Sequence, residues 1–177
     1  SVSQLGYIAV GIGLANEAGL AGAYLHLLNH AVMKALLFAA VGAALLRGGR
    51  PWLPALGLDR TMPLTAACVV VGALSIVGVP PAGGFFSKWY LIRGALDAGE
   101  PLLVAALLAG GLLAVVYMYR LTEAVWIGGA PQGAGGREAP VSVLACLVLL
   151  AGLTIAAGLA SATLVDTILV PAARGAL

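Results

Sequence analysis

Apolar residues run along this chain in long unbroken blocks, with neither the alternation of a strand nor the one-sided stripe of a soluble helix. Residues 19–46, 101–127 and 141–170 are dominated by Ala, Leu, Val and Gly, and period-two alternation is absent from them. A helix needs roughly 20 apolar residues to cross the hydrocarbon layer, and only helices or closed barrels satisfy their backbone there. Set against that length, the pattern predicts about five transmembrane helices: residues 3–15, which are short, then 19–46, 64–96, 101–127 and 141–170. Polar punctuation separates them. Residues 47–63 carry Pro51, Pro54 and Pro63, and residues 128–140 are rich in glycine, as loops are.

Composition sharpens the picture. Of the 177 residues, 62% are hydrophobic and 9% charged, and the mean hydropathy is +1.06. Such a chain is expected to be an all-α integral membrane protein, multi-pass in a cell membrane, with the lipid bilayer as its surroundings. Soluble nucleotide enzymes, nucleic-acid binders and disulfide-stapled modules would need far more polar surface. The net charge of +2 is too small to point to an anionic partner. Cys68 and Cys146 sit alone in apolar runs, without metal or disulfide spacing. If the spans alternate, Arg47, Arg50, Arg60, Arg120 and Arg137 share the side expected to be cytoplasmic, opposite Arg93 and Arg174. Residues 1–177 read as a single transmembrane helical domain, and the semi-apolar opening at Ser1 suggests a piece of a longer chain.

The ionisable residues within the apolar blocks carry the chemistry. His26, His30 and Lys34 recur every four residues, with Asn29 beside them. That spacing places them on one slowly spiralling face of a helix. Lys34 lies roughly 18 Å from the end of its apolar run at 1.5 Å per residue, at membrane depth, where a lysine costs about 2.5–3.5 kcal/mol even on a lenient scale. Snorkelling at a helix end and a two-histidine metal site are alternatives. The first conflicts with that depth, and the second lacks an acidic or thiol ligand. A hydrated proton relay fits the residue types best, since histidine titrates near neutrality and intramembrane ionisable groups mark ion pathways. His26, nearest the end of the span, is expected to matter least.

The second constellation lies in residues 64–96, which as one helix would extend roughly 50 Å across a layer of about 30 Å. Gly78, Pro80, Pro81, Gly83 and Gly84 resolve the excess by breaking it. The prolines remove two backbone donors, and the glycines permit unusual dihedrals. Unwound backbone at membrane depth lines protein or water-filled cavities, as in the discontinuous helices of transporters. Lys88 follows the break, beside the positive N-terminal end of the second half-helix, where a lysine able to change charge during a cycle is expected. An ordinary proline kink with Lys88 at the interface is the alternative.

Three runs also carry a family resemblance: Ser3-Gln-Leu-Gly-Tyr7, His26-Leu-Leu-Asn-His30-Ala-Val-Met-Lys34-Ala-Leu-Leu-Phe38, and Gly78-Val-Pro-Pro-Ala-Gly-Gly-Phe-Phe-Ser-Lys88. In that order they resemble the proton-conducting antiporter-like subunits shared by respiratory complex I and the Mrp-type Na+/H+ antiporters. The resemblance implies that the chain is the C-terminal part of a longer subunit, holding the broken helix of the second of two inverted repeats. It makes His30 and Lys34 part of a central relay, with His26 as their neighbour and Lys88 as the residue exchanging protons with the outer side. Trp89 follows Lys88 where some complex I subunits have an acidic residue, so this stretch looks more like the D-type subunit of the Mrp antiporters. The family's first-repeat glutamate and lysine are not in this sequence. Implied partners are other membrane subunits, protons and Na+. Neither cofactor nor bond-changing chemistry is expected in this chain, whether it serves a cation/proton antiporter or, alternatively, an NADH:quinone oxidoreductase.

Overall fold

In the computed structural model, which describes residues 1–46, 58–126 and 138–177, every regular element is a helix. The helices are α1 (Val2–Gly13), α2 (Glu17–Leu46), the single turn α3 (Leu58–Thr61), α4 (Pro63–Val77), α5 (Gly83–Asp97), α6 (Pro101–Trp126) and α7 (Val141–Leu159). After Ala160 the chain continues through α8 (Ser161–Leu164), a π-helical stretch (Val165–Leu169) and α9 (Val170–Ala176). The apolar run expected to be one helix over 141–170 therefore ends its first segment at Leu159. There Gly158 packs so closely on Pro81 that any side chain would collide with the Pro81 carbonyl. Arg47, Arg50 and Arg137, together with most of the two expected loops, lie outside the described residues.

Among the described residues three helices, α2, α6 and α7, are long and apolar enough to cross a membrane. They differ in what they bury. The apolar window of α2 is 44% buried, against 11% and 17% for α6 and α7, so α2 is the axis on which the others pack. Its closest partner is α5, which runs antiparallel to it along a seam of small residues. A Cβ on Gly94 would lie 2.5 Å from the Gly19 nitrogen, and one on Gly22 would lie 2.8 Å from the Leu91 nitrogen. Small residues are what let helix backbones approach where lipid supplies no hydrophobic drive.

Along α2 the interior is layered. Toward its C-terminus, Met33, Leu36, Leu37 and Ala40 pack with Val69 and Ile76 of α4 and Leu147 of α7. Toward its N-terminus, Ala23 packs with Tyr7, Leu91 and Leu107, and Leu25 with Val165 and Leu169. Between these apolar layers His26, Asn29 and His30 are buried, together with Gln4 of α1, Ser75 of α4, and Ser87 and Lys88 of α5. Polar groups buried in this way are costly unless they are hydrogen-bonded, and most of these find partners among themselves or on the backbone.

The ends of the bundle are tied by charge. Glu138 accepts the Leu64 backbone N–H at 2.6 Å and the Thr65 hydroxyl at 3.1 Å, so a carboxylate caps the N-terminus of α4. At the other end Arg174 of α9 donates to both carboxylate oxygens of Glu17, at 2.8 and 3.0 Å.

Candidate functional site at the broken helix

The break follows from local stereochemistry. Gly78 adopts a left-handed conformation (φ 93°, ψ 49°) that ends α4 and that a residue with a Cβ adopts only at a cost. A turn with Ala82 N–H donating to Val79 O at 3.1 Å carries the chain past Pro80 and Pro81, and α5 begins at Gly83. Two glycines let the half-helices fold tightly. A side chain on Gly84 would run into the Ser75 carbonyl, and one on Gly83 into the Asn29 amide, whose nitrogen donates to Gly83 O at 2.9 Å.

Breaking a helix leaves its last carbonyls without intrahelical donors. Lys88 supplies them. Its Nζ donates to Ile76 O at 2.6 Å and to Val77 O at 3.0 Å, and lies 5.1 Å from the centre of the Tyr7 ring. This differs from the sequence expectation, which set Lys88 against the positive end of α5. The ammonium reaches back across the break to the negative end of α4, where dipole and carbonyls favour a cation. The four-carbon stem makes that possible, since it crosses a gap that no rule confined to α5 would consider.

His26 is wholly buried, with both ring nitrogens engaged: Nδ1 lies 2.8 Å from Ser87 Oγ and Nε2 3.1 Å from Gln4 Oε1. Its ring is 5.5 Å from that of Tyr7 and stacks at 6.2 Å on that of His30. It is thus the most tightly held member of the stripe, whereas its nearness to the helix end led to the expectation that it matters least. His30 Nδ1 is buried without a hydrogen-bond partner, as is Ser75 Oγ. Lys34 is only half-buried, and its Nζ sits 4.3 Å over the ring of the largely exposed Phe38. Spacing of four explains the divergence. Each step overshoots a full turn by about 40°, so Lys34 is rotated about 80° from His26. His26 is brought to His30 by stacking and to Lys88 across the Tyr7 ring, whereas Lys34, beside the exposed Phe38, is the least buried of the stripe.

The sequence did not single out Gln4, Tyr7 or Ser87 as members of the site. Gln4 and Tyr7 share one face of α1 at i, i+3, and a polar pair at that spacing in an apolar helix was a usable signal. Ser87 had none beyond its place before Lys88. Among the described residues no three His, Cys, Asp or Glu side chains gather as a metal site would require. The site is built of carbonyls, two imidazoles and an ammonium, held by the Gln4 amide, the Ser87 hydroxyl and the Tyr7 ring.

Most of the chain is similar to known proteins. Residues 1–114 match the family described as NADH:quinone oxidoreductase/Mrp antiporter, TM. Over 142 residues the chain is 44% identical to NADH-quinone oxidoreductase subunit N of Desulforudis audaxviator, covering 80% of this chain and 28% of that protein. It is 36% identical over 121 residues to a Na(+)/H(+) antiporter subunit of Alkalihalophilus pseudofirmus, covering 68% and 24% respectively. The fold is that of a chain in the Mrp complex from Dietzia sp. DQ12-45-1b, with a TM-score of 0.86 at 28% identity over 97% of this chain and 40% of that one. The chain spans less than a third of the length of these curated relatives. It is a multi-pass membrane protein, and it belongs to the NADH:quinone oxidoreductase/Mrp antiporter transmembrane family.

Proposed function

We propose that this chain is a transmembrane domain of a proton-translocating, antiporter-like subunit in a multisubunit monovalent cation/proton antiporter. Lys88, His26, His30 and Lys34 carry the proton path, and the break at Gly78, Pro80, Pro81, Gly83 and Gly84 cradles Lys88. The observation that carries this reading is the Lys88 ammonium, buried at the break and bonded to Ile76 O and Val77 O. Charge-assisted bonds are roughly twice as strong as neutral ones, so loss of the proton weakens the hold of α4 on Lys88. The position of the lysine is thereby tied to its charge, as a carrier of protons between two sides requires. The partners are other membrane subunits, lipid, protons and Na+.

A second reading is supported by the higher identity, 44%, to an NADH-quinone oxidoreductase subunit. There the same relay is driven by redox chemistry in other subunits. The test is transport by the full-length subunit with its natural partners in sealed vesicles. Proton movement driven by an imposed Na+ gradient supports the antiporter, and proton movement driven by NADH oxidation with no response to Na+ supports the second reading. Wild-type transport in Lys88→Ala refutes both assignments of the path.

A further inference from the structure

Tyr117, Gln4, His26 and Ser87 form one continuous line of hydrogen-bonding side chains drawn from α6, α1, α2 and α5. Gln4 Nε2 donates to the Tyr117 hydroxyl at 3.3 Å, which turns Oε1 toward His26 Nε2 at 3.1 Å. An amide oxygen only accepts, so Nε2 carries the hydrogen. In neutral His26 the other nitrogen, Nδ1, is then bare and accepts from the Ser87 hydroxyl at 2.8 Å. Ser87 has one hydrogen and a second acceptor for it, Gly84 O at 3.2 Å.

Adding a proton to His26 reverses this order. Nδ1–H then donates to Ser87 Oγ, and the hydroxyl hydrogen swings to Gly84 O. No heavy atom has to move, and the amide of Gln4 neither gains nor loses a proton. The change is delivered in the first turn of α5, one residue before Lys88. Gly84 O and Lys88 Nζ flank the same point, each 3.6 Å from where a Cβ on Gly78 would stand. The other titratable groups about His26 are Tyr7 from α1, His30 on its own helix, Lys88 from α5 through the Tyr7 ring, and Tyr117 from α6 through Gln4.

We propose that Gln4 and Ser87 are positioning residues, Gln4 setting the tautomer of His26 and Ser87 relaying its protonation to the turn that holds Lys88. This rests on the reading of His26 and Lys88 as members of a proton path.

The experiment uses the full-length subunit in its assembled complex, with 15N-labelled histidine, and identifies the His26 resonances by their loss in His26→Gln. The expected wild-type neutral tautomer is Nε2–H, and Gln4→Leu is expected to convert it to Nδ1–H, donating to Ser87. Ser87→Ala is expected to keep Nε2–H but slow proton transport about tenfold, equivalent to ~1.4 kcal/mol, and Ser87→Thr, which keeps the hydroxyl, to restore it. An Nδ1–H wild type, or a tautomer unchanged by Gln4→Leu, overturns the role of Gln4 with the path intact. Full transport in Ser87→Ala overturns the role of Ser87. Normal transport in Lys88→Ala instead removes the path itself, so the two failures are distinguishable.

Discussion

Replacing Lys88 by Met keeps the length and most of the volume of the side chain while deleting its ammonium. Two opposing effects follow. Ile76 O and Val77 O lose their donor at 2.6 and 3.0 Å, and hydrogen bonds to a charged group contribute about 1.5–3 kcal/mol each. Against that, the fold no longer holds a cation at membrane depth, a cost of about 2.5–3.5 kcal/mol on the insertion scale. The terms offset to within a few kcal/mol, so the variant should insert and fold with modestly lowered stability. Transport should vanish, because a thioether carries no proton. The assay pairs a thermal-unfolding scan of the purified complex with vesicle pH-gradient measurements on the same preparation. A small drop in midpoint with abolished transport is expected. Wild-type transport refutes the assignment of Lys88 to the path, and a collapse of the fold refutes the claim that its bonds and its burial nearly cancel.

Gly84→Ala should destabilise by about 1–3 kcal/mol or more, because the added methyl meets the Ser75 carbonyl, a backbone atom that cannot step aside; Gly152→Ala, with open space around it, is the control in the same unfolding scan. Alanine at both Pro80 and Pro81 should impair transport without removing any ionisable group, since two restored N–H donors favour a straighter helix that carries Lys88 off its carbonyls, and unimpaired vesicle transport would show that the glycines alone set the break. His26→Ala and His30→Ala should combine non-additively in transport rate, their rings being stacked at 6.2 Å. Lys34→Arg should fail by the same assay, because a guanidinium does not release its proton in proteins. An active arginine variant or strictly additive histidine losses would sink the shared relay.

Local information was enough for a good part of this molecule. Uninterrupted apolar blocks leave the chain no soluble alternative, because their backbone and side chains can be satisfied only as helices within an apolar solvent. Gly78, Pro80, Pro81, Gly83 and Gly84 end one helix and begin another through their own dihedral preferences, so the break was legible from five neighbouring residues. The spacing of His26, His30 and Lys34 likewise specified a shared, spiralling face. What the stripe confronts was not legible. Whether a given residue on that spiral meets α5 or the outer face depends on how α2 is rotated in the bundle, and this turns on the small residues at Gly19, Gly22 and Gly94, which set the seam. The partners of the buried groups were out of reach for the same reason. Gln4 lies 22 residues from His26, and Ser87 lies 61. The clearest case is Lys88. Sequence placed it at the positive start of α5, where its own helix is all that periodicity can see. Only when α4 and α5 fold against each other do the orphaned carbonyls of one helix come within reach of the ammonium of the next, and the need to satisfy buried carbonyls and a buried cation together decides where the charge goes.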